Sequence, residues 1–281
     1  VLGHRLAAFG KTPDTVEVVR RAAVENPWFL PQEIIRAVKV IRCEMLERQR
    51  LEAWAGAYPP VRTPKRVLVV MAGNIPLVGF FDLLCVLASG HACRVKPSSK
   101  DTVLIGYVID LLRTIDPAIP LRMAEQGERP DAVIATGSDN ANRYFRMLFG
   151  GIPSLLRGSR QSVAVLSGRE TAAELSGLEE DIFAYSGLGC RNVSLLFLPR
   201  GYMPELRCTA LNEKYRRNYL RERALLRMRR MPFVDLDGAV LCEDRSFPAA
   251  LSRIHYTFYD SLADVEAWLA AHDDRLQCVV S

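Results

Sequence analysis

The sequence predicts an α/β protein of two domains, the first of them built on a largely parallel sheet. Its 281 residues, 49% hydrophobic and 25% charged, have the balance of a globular protein with a sizeable core. From Arg66 to Leu166, short β-branched runs alternate with helical segments, which is typical of βαβ units. The pattern changes after Gly168, and the length suits two domains. We therefore place the domains at residues 1–167 and 168–281.

The first domain is expected to begin with helices and to continue as strand and helix in alternation. Apolar residues recur at helix spacing between Ile34 and Leu46, and Pro31 is a start signal for that helix. The predicted strands that follow are 67–71, 93–96, 132–135 and 162–166, and the predicted helices are 76–89, 99–114 and 140–149.

The second domain is expected to contain longer helices and further strands. Its predicted elements are a helix near 170–185, a strand at 194–198, a helix at about 204–230, strands at 239–242 and 255–259, a helix at 262–271 and a last strand. The sequence starts at Val1 without methionine and stops just after the apolar run 278–280. We expect it to be part of a longer polypeptide, with a second domain that is incomplete at this end.

Charge and cysteine content limit the classes of protein to consider. The formal net charge of +5 suits an anionic ligand without requiring nucleic acid. The seven cysteines form no CxxC pair and follow no secretory leader, so a reducing cytoplasm is the expected compartment. The charge-poor stretch 67–93 is interrupted by Asn74, Pro76 and Asp82, which excludes a membrane span there. No zinc-ligand spacing is present, and we expect no metal site.

A basic segment, residues 213–230, allows two interpretations. Its eight lysines and arginines could meet the phosphates of RNA or of a phosphorylated cofactor. The alternative, which we favour, is a solvated helix face behind an apolar stripe interrupted by Glu222. The residues of that stripe would be Leu211, Tyr215, Tyr219 and Leu226. No nucleic-acid partner is therefore expected.

Cys190 is the candidate nucleophile. It follows Gly187-Leu188-Gly189, which permits a tight turn, and it precedes the basic Arg191. If residues 191–193 formed a helical turn, the sulfur would lie at its N-terminus, where backbone amides and the guanidinium favour the thiolate. A buried structural cysteine is the alternative.

Three predicted strands of the first domain end in polar residues that suit a ligand. Asn74 follows the first strand, where its amide can donate to an oxyanion or cap the next helix. Lys96-Pro97-Ser98-Ser99 and Thr136-Gly137-Ser138 follow two others and suit phosphate or ribose contacts, although surface capping explains each one separately.

These segments together resemble the aldehyde dehydrogenase superfamily, and more closely its LuxC-like acyl-CoA reductase branch. The matching residues, in the family's order, are Asn74, Lys96-Pro97-Ser98, Thr136-Gly137-Ser138 and Cys190, and the likeness covers roughly residues 26–281. The resemblance implies a Rossmann-like parallel-sheet cofactor domain, with the N-terminal helices packed on it, and a second α/β catalytic domain that bears the nucleophile.

The resemblance also implies roles for the matching residues. Asn74 and the amide of Cys190 would form the oxyanion hole, and Cys190 would carry the acyl group. Lys96 would hold the adenosine ribose or its phosphate, Thr136 would lie near the nicotinamide, and Ser138 would lie at the pyrophosphate, with Ser98 and Gly137 in the same two cofactor-binding segments.

Two departures from the family pattern refine the expected activity. Hydrolytic members carry a glutamate base in a segment that looks like 156–160 here, and Leu156 stands where that base would be, so an acyl-cysteine would survive. NAD-preferring members have Glu after Lys-Pro-Ser, where this chain has Ser99. The repulsion of a 2′-phosphate is then absent, and NADP(H) is expected rather than NAD(H).

The expected activity is NADPH-dependent reduction of an acyl-CoA, with a fatty acyl chain favoured, to the aldehyde through an acyl-cysteine. The alternatives are a hydrolytic NAD(P)-dependent aldehyde dehydrogenase and a non-catalytic nucleotide-binding or scaffold subunit. The expected partners are acyl-CoA or another activated acyl donor, an acyl-activating enzyme and further copies of this chain, with coenzyme A as part of substrate and product.

Overall fold

The strands of this chain form two sheets, one in each of two structural units. The computed structural model describes residues 1–281, and the units are Val1–Gly158 and Ser159–Ser281. The predicted boundary at residues 167 and 168 lies later than this division. Strand 161–165 is hydrogen-bonded into the second sheet, so it belongs to the second unit and not to the first.

The first unit is a five-stranded parallel sheet flanked by helices. Its helices are α1 (Leu2–Arg5), α2 (Pro13–Glu25), α3 (Pro31–Val40, continued by a π turn at Ile41–Met45), α4 (Arg48–Gly56), α5 (Phe80–Ala88), α6 (Thr102–Ile115) and α7 (Asp139–Phe149). Its strands are β1 (Arg66–Val70), β2 (Ala92–Lys96), β3 (Leu121–Met123), β4 (Ala132–Thr136) and β5 (Ser154–Arg157), in the order β3-β2-β1-β4-β5.

After the exposed Arg66, strand β1 is apolar because both of its faces are covered. Val67 and Val69 pack into the cluster that includes α2, α3, α5 and α6, whereas Leu68 and Val70 face the cluster that includes α7. Strand β1 is parallel to both of its neighbours, β2 and β4. The chain adds β2 and β3 on one side of β1 and then β4 and β5 on the other, so the order of strands reverses between β1 and β4. In open α/β sheets the carboxyl edge at such a reversal is where ligands bind.

The second unit is a six-stranded mixed sheet. Its strands are β6 (Gln161–Val165), β7 (Val193–Pro199), β8 (Val234–Asp235), β9 (Val240–Glu243), β10 (Arg253–Tyr259) and β11 (Leu276–Val280), and its helices are α8 (Ala172–Phe183), α9 (Glu213–Met228) and α10 (Leu262–Ala271). The order is β11-β6-β7-β10-β9-β8, and only the pair of β8 with β9 is antiparallel. Val163, Leu195 and Phe197 pack against Trp268 of α10.

The predicted fold class is confirmed, and several predicted helices begin later than expected. Helix α5 begins at Phe80 instead of residue 76, because Leu77 has a left-handed backbone (φ 56°) that no helix contains. Helix α9 begins at Glu213 instead of residue 204, because Asn212 is its N-cap and the Asn212 side chain accepts hydrogen bonds from two backbone amides of the first turn. None of the helices combines the length and the apolar character needed to cross a membrane.

Candidate active site

Cys190 is exposed in a turn between α8 and β7. After α8 the backbone passes through three consecutive left-handed residues, Tyr185, Ser186 and Gly187 (φ 52°, 56° and 66°). Strand β7 begins at Val193. The cysteine is exposed, so the alternative of a buried structural cysteine is wrong. A residue with this accessibility can meet a substrate.

The helical turn considered for residues 191–193 does not form. Asn192 N donates to Gly189 O at 3.1 Å, which closes a single turn, and β7 follows at once. The sulfur therefore does not lie at a helix N-terminus, and the only cationic neighbour in sequence is the exposed Arg191. The stabilisation of a thiolate by a helix N-terminus, which the sequence allowed, is therefore absent.

Asn192, which the sequence did not single out, fixes the shape of this turn. Its Nδ2 donates to the carbonyl oxygens of Asp181 (2.9 Å) and Ala184 (3.0 Å), and its Oδ1 accepts from Gly189 N (2.8 Å). One amide side chain thus satisfies backbone groups on both sides of the left-handed segment. An asparagine just after two glycines is the sequence signal that could have indicated this role.

A second contact holds the backbone of Cys190 itself. Ser162, fully buried on β6, donates its hydroxyl proton to Cys190 O across 2.9 Å. The same hydroxyl oxygen lies 2.9 Å from the sulfur of Cys278 on β11. Cys190 is therefore carried by a turn that is tied to the sheet on one side and to α8 on the other.

Among the other cysteines, Cys43 is also exposed, whereas two buried ones give a contrast to the Cys190 thiol. Cys93 and Cys242 are buried in strands. Burial raises the pKa of Cys93 to about 12, and it also raises the pKa of Cys242. Thiols of this kind stay protonated and are poor nucleophiles at neutral pH.

The other predicted site residues all lie in the first unit, at the carboxyl edge of its sheet. Strands β2, β1 and β4 are adjacent and parallel, so the structure brings the Asn74 loop and the segments 96–99 and 136–138 to the same edge. Gly73 allows two of these segments to touch, because a Cβ there would lie 2.6 Å from Cβ and Oγ of Ser98.

Asn74 lies in a bend and does not cap a helix. The N-cap of α5 is Gly79, so the predicted alternative of an N-cap role for Asn74 is wrong. The side chain is half-buried. Its loop is held by a hydrogen bond of 2.7 Å from Leu77 N to Oδ2 of the buried Asp101, the residue that precedes α6.

The residues of the other two segments offer polar groups of the kind that bind ribose and phosphate oxygens. Lys96 and Ser99 are exposed, and Thr136 is half-buried at the end of β4, so an ammonium and two hydroxyls are available to ribose and phosphate oxygens. Ser138 Oγ accepts from Ala141 N at 3.3 Å as the N-cap of α7, and its hydroxyl proton remains available. Gly137 approaches α7 closely, since a Cβ there would lie 3.0 Å from Ala141 Cβ.

Strand β5 ends beside Thr136, and no carboxylate occurs from Ser154 to Arg160. Leu156 lies within the strand, and Arg157 pairs in register with Thr136. The Arg157 guanidinium donates to both carboxylate oxygens of Asp82 on α5 at 2.7 Å. This ion pair joins β5 to α5. It was not predicted from the sequence, because its two residues are far apart along the chain.

No protein-family model and no curated protein matches the sequence, but solved structures do. A NAD-dependent benzaldehyde dehydrogenase from Corynebacterium glutamicum is 15% identical, with a TM-score of 0.67 over 100% of this chain and 76% of that one. A NAD-dependent aldehyde dehydrogenase from Sinorhizobium meliloti is 11% identical, with a TM-score of 0.67 over 99% and 72%. An aldehyde dehydrogenase from Bacillus cereus, solved with NAD+, is 14% identical, with a TM-score of 0.61 over 95% and 69%. At these identities the likeness concerns the fold: this chain has the fold of the aldehyde dehydrogenases.

Proposed function

We propose that this protein is an NADPH-dependent acyl-CoA reductase of the cytoplasm. The observation that carries the proposal is the exposed Cys190 in a braced turn, on a fold shared with aldehyde dehydrogenases. A fatty acyl group is the favoured substrate, following the LuxC-like resemblance of the site segments. Assembly with further copies of the chain, and supply of the acyl group by an activating enzyme, belong to the same proposal.

The proposed reaction begins with acyl transfer to the chain. The Cys190 thiolate attacks the carbonyl carbon of the thioester, and the Asn74 amide donates to the oxygen as it becomes negative. The carbon–sulfur bond to coenzyme A then breaks, and the coenzyme A thiolate takes up a proton from solvent. One thioester replaces another, so the step is nearly balanced in free energy, and its rate depends on positioning and on the oxyanion donors.

The acyl-cysteine is expected to persist until it is reduced. Hydrolysis needs a general base beside the acyl carbon, and the end of β5 carries Leu156 and Arg157 and no carboxylate. Bound NADPH would supply the hydride that converts the acyl group to the aldehyde. Lys96, Ser98 and Ser99 would hold its adenosine ribose and 2′-phosphate, with Thr136, Gly137 and Ser138 along the remainder of the cofactor.

The test is the intact mass of the protein after incubation with acyl-CoAs of several chain lengths. We expect one acyl adduct on the wild-type chain and none on Cys190→Ala, with the adduct discharged as aldehyde when NADPH is added. An adduct that survives in Cys190→Ala, or that is absent for every chain length, would refute the proposal.

A hydrolytic aldehyde dehydrogenase is the second candidate, and one observation favours it. The carboxylate of Asp139, the first residue of α7, lies against Gly158, where a Cβ would be 2.7 Å from Oδ1. A carboxylate therefore borders the end of β5 although the strand itself has none. Steady formation of carboxylate from aldehyde and NADP+ without coenzyme A, lost in Asp139→Asn, would support this candidate over the first.

A further inference from the structure

The basic segment 213–230 accounts for the positive charge of the whole protein. It holds eight lysines and arginines against Glu213 and Glu222, whereas the complete chain has an excess of only five positive charges. The rest of the chain is therefore slightly negative. Such a concentration on one element indicates a surface that attracts anionic partners.

Within this segment, helix α9 divides into a buried face and an exposed basic face. Tyr215, Tyr219, Glu222 and Leu226 are buried, which confirms most of the predicted stripe, while Leu211 is 75% exposed and does not belong to it. The exposed residues recur at helix spacing on the opposite side. We call six of them the α9 surface, namely Arg216, Arg217, Leu220, Arg221, Arg227 and Met228, and Glu213 and Ala224 are exposed on the same side.

The charges of the α9 surface are mostly not neutralised within the chain. Asp235 lies 3.5 Å from Arg223 and 4.0 Å from Arg227, and the buried Glu222 is paired with Arg253 at 2.6 Å. By contrast, Arg216, Arg217 and Arg221 have no acidic group within 4.0 Å. Three adjacent guanidinium groups are thus available to carboxylates or phosphates.

The remaining composition of the α9 surface favours an acidic protein. Leu220 and Met228, exposed by 43% and 80%, lie among the arginines, and arginine with methionine is enriched at protein interfaces. The surface has no aromatic side chain on which nucleic-acid bases could stack. A membrane-surface helix inserts its apolar face into lipid, whereas the apolar face of α9 is already buried in its own unit.

Helix α9 is also close to the turn that carries the nucleophile. Tyr215 packs edge-on against Phe183, at the end of α8, with ring centroids 6.4 Å apart. It also lines a small cavity together with Gly187 and Asn192 of the Cys190 turn. Tyr215 belongs to the buried face of α9, and the α9 surface lies on the opposite face, so a protein bound there would be held on the helix that packs beside the Cys190 turn.

We propose that the α9 surface binds an acidic acyl carrier protein whose phosphopantetheine thioester acylates Cys190. The inference rests on the proposed function and names its acyl donor. Coenzyme A and a carrier protein present the same thioester on the same pantetheine arm, so the chemistry is unchanged. The bond from the acyl carbon to Cys190 Sγ forms, the bond to the pantetheine sulfur breaks, and the released thiolate takes up a proton.

The test compares two donors of the same acyl chain, one on coenzyme A and one on a purified acidic acyl carrier protein. The variant is Arg217→Glu with Arg221→Glu, and its matched control is Arg129→Glu with Arg169→Glu, two exposed arginines without ion pairs elsewhere in the chain. We expect the rate of Cys190 acylation by the carrier-bound donor at limiting concentration to fall at least about tenfold in the variant and less than about twofold in the control. Acylation by acyl-CoA should change by less than about twofold in both.

The outcomes separate this inference from the function on which it rests. Acylation by neither donor overturns the proposed function. Acylation by both donors that is insensitive to the α9 charges, or an equal loss for both donors in a folded variant, overturns this inference alone. This inference is also overturned if the variant loses binding to single-stranded RNA or to phosphatidylserine vesicles but is still acylated by the carrier-bound donor at the wild-type rate. If the double glutamate variant does not fold, Arg217→Gln with Arg221→Gln takes its place, with an expected loss of at least about threefold for the carrier-bound donor only.

Discussion

Asp101 Oδ2 accepts a hydrogen bond from Leu77 N across 2.7 Å, which ties the start of α6 to the loop that carries Asn74. Leu77 is left-handed (φ 56°), a conformation that costs a non-glycine residue about 1–2 kcal/mol. The bond therefore holds a strained loop. The second carboxylate oxygen of Asp101 is buried without a partner, and burial raises the pKa of this group to about 7.

This raised pKa predicts a pH-dependent stability that Asp101→Asn removes. The folded protein keeps the proton of Asp101 between the ordinary pKa of 3.8 and about 7, whereas the unfolded chain releases it, so the free energy of unfolding falls as pH rises through that window. Asparagine keeps an acceptor for Leu77 N and has no charge. We expect the variant to match the wild type near pH 4 and to be about 1–3 kcal/mol more stable at pH 8.

Urea denaturation from pH 4 to pH 8 checks this expectation. Asp110→Asn, at an exposed site on the same helix, is the control and should keep the fall in the free energy of unfolding that Asp101 causes. A constant difference between Asp101→Asn and the wild type across the range would contradict the assigned ionisation.

Asn192→Ala is expected to destabilise the turn that carries Cys190. The substitution removes one acceptor and two donors, and it leaves the carbonyl oxygens of Asp181 and Ala184 without these bonds. We expect a loss of about 2–3 kcal/mol in the free energy of unfolding and a slower acylation of Cys190. Asn218→Ala is the matched control, because that side chain makes one bond, to Lys214 O, and should cost about 1 kcal/mol or less. Equal losses at the two sites would refute the role assigned to Asn192.

The ion pair of Asp82 with Arg157 predicts strong coupling in a double-mutant cycle. Asp82 is about 10% exposed and Arg157 about 41%, so removal of the guanidinium leaves a largely buried carboxylate in α5. We expect Arg157→Gln alone to cost about 2–3 kcal/mol and Asp82→Asn with Arg157→Gln to cost less than the sum of the single variants. The exposed pair of Arg48 with Glu52 is the comparison and should show a coupling of about 0.5 kcal/mol. Additive losses at Asp82 and Arg157 would contradict this coupling.

The periodicity of apolar residues was sufficient to predict the strands and helices in which that periodicity is clear. Strand β1 is a buried run rich in valine, β2 and β4 bury alternate residues, and α10 has the predicted limits 262–271. Strands β3, β5 and β8 were missed because they have only three, four and two residues, too few to show a period. Their existence depends on neighbouring strands that offer hydrogen bonds, which local sequence does not reveal.

The residues that hold the site loops in place were harder to predict than the polar segments of the site itself. Strand-terminal residues such as Asn74 and Thr136 stand out because a polar run follows an apolar one. The partners Asp82 and Arg157 are far apart in sequence, and Asp101 resembles an ordinary helix cap. Only the packing of α5 and α6 against the sheet makes these carboxylates buried.

The residue at position 99 should set the choice of cofactor. Ser99 is exposed beyond the end of β2, close in sequence to Lys96, and neither residue repels a 2′-phosphate. Ser99→Glu adds a carboxylate that can accept from a ribose diol and repels the 2′-phosphate. We expect the ratio of kcat/KM for NADPH over NADH to fall at least about tenfold. Ser99→Gln, which has the same size without the charge, should change the ratio by less than about threefold, and similar effects of both would argue against an electrostatic origin.

Asn74→Ala should slow acyl transfer to Cys190 without unfolding the protein. Asn74 is half-buried in a bend and caps no helix, and loss of one oxyanion donor costs about 10²–10³ in rate. Rapid-quench measurement of acyl-enzyme formation should show a decrease of about a hundredfold or more at saturating donor. Asp101→Asn is the informative companion, because it leaves the amide of Asn74 intact and changes only the charge behind its loop. If Asn74→Ala acylates at the wild-type rate while its free energy of unfolding falls, the side chain belongs to the fold and not to the reaction.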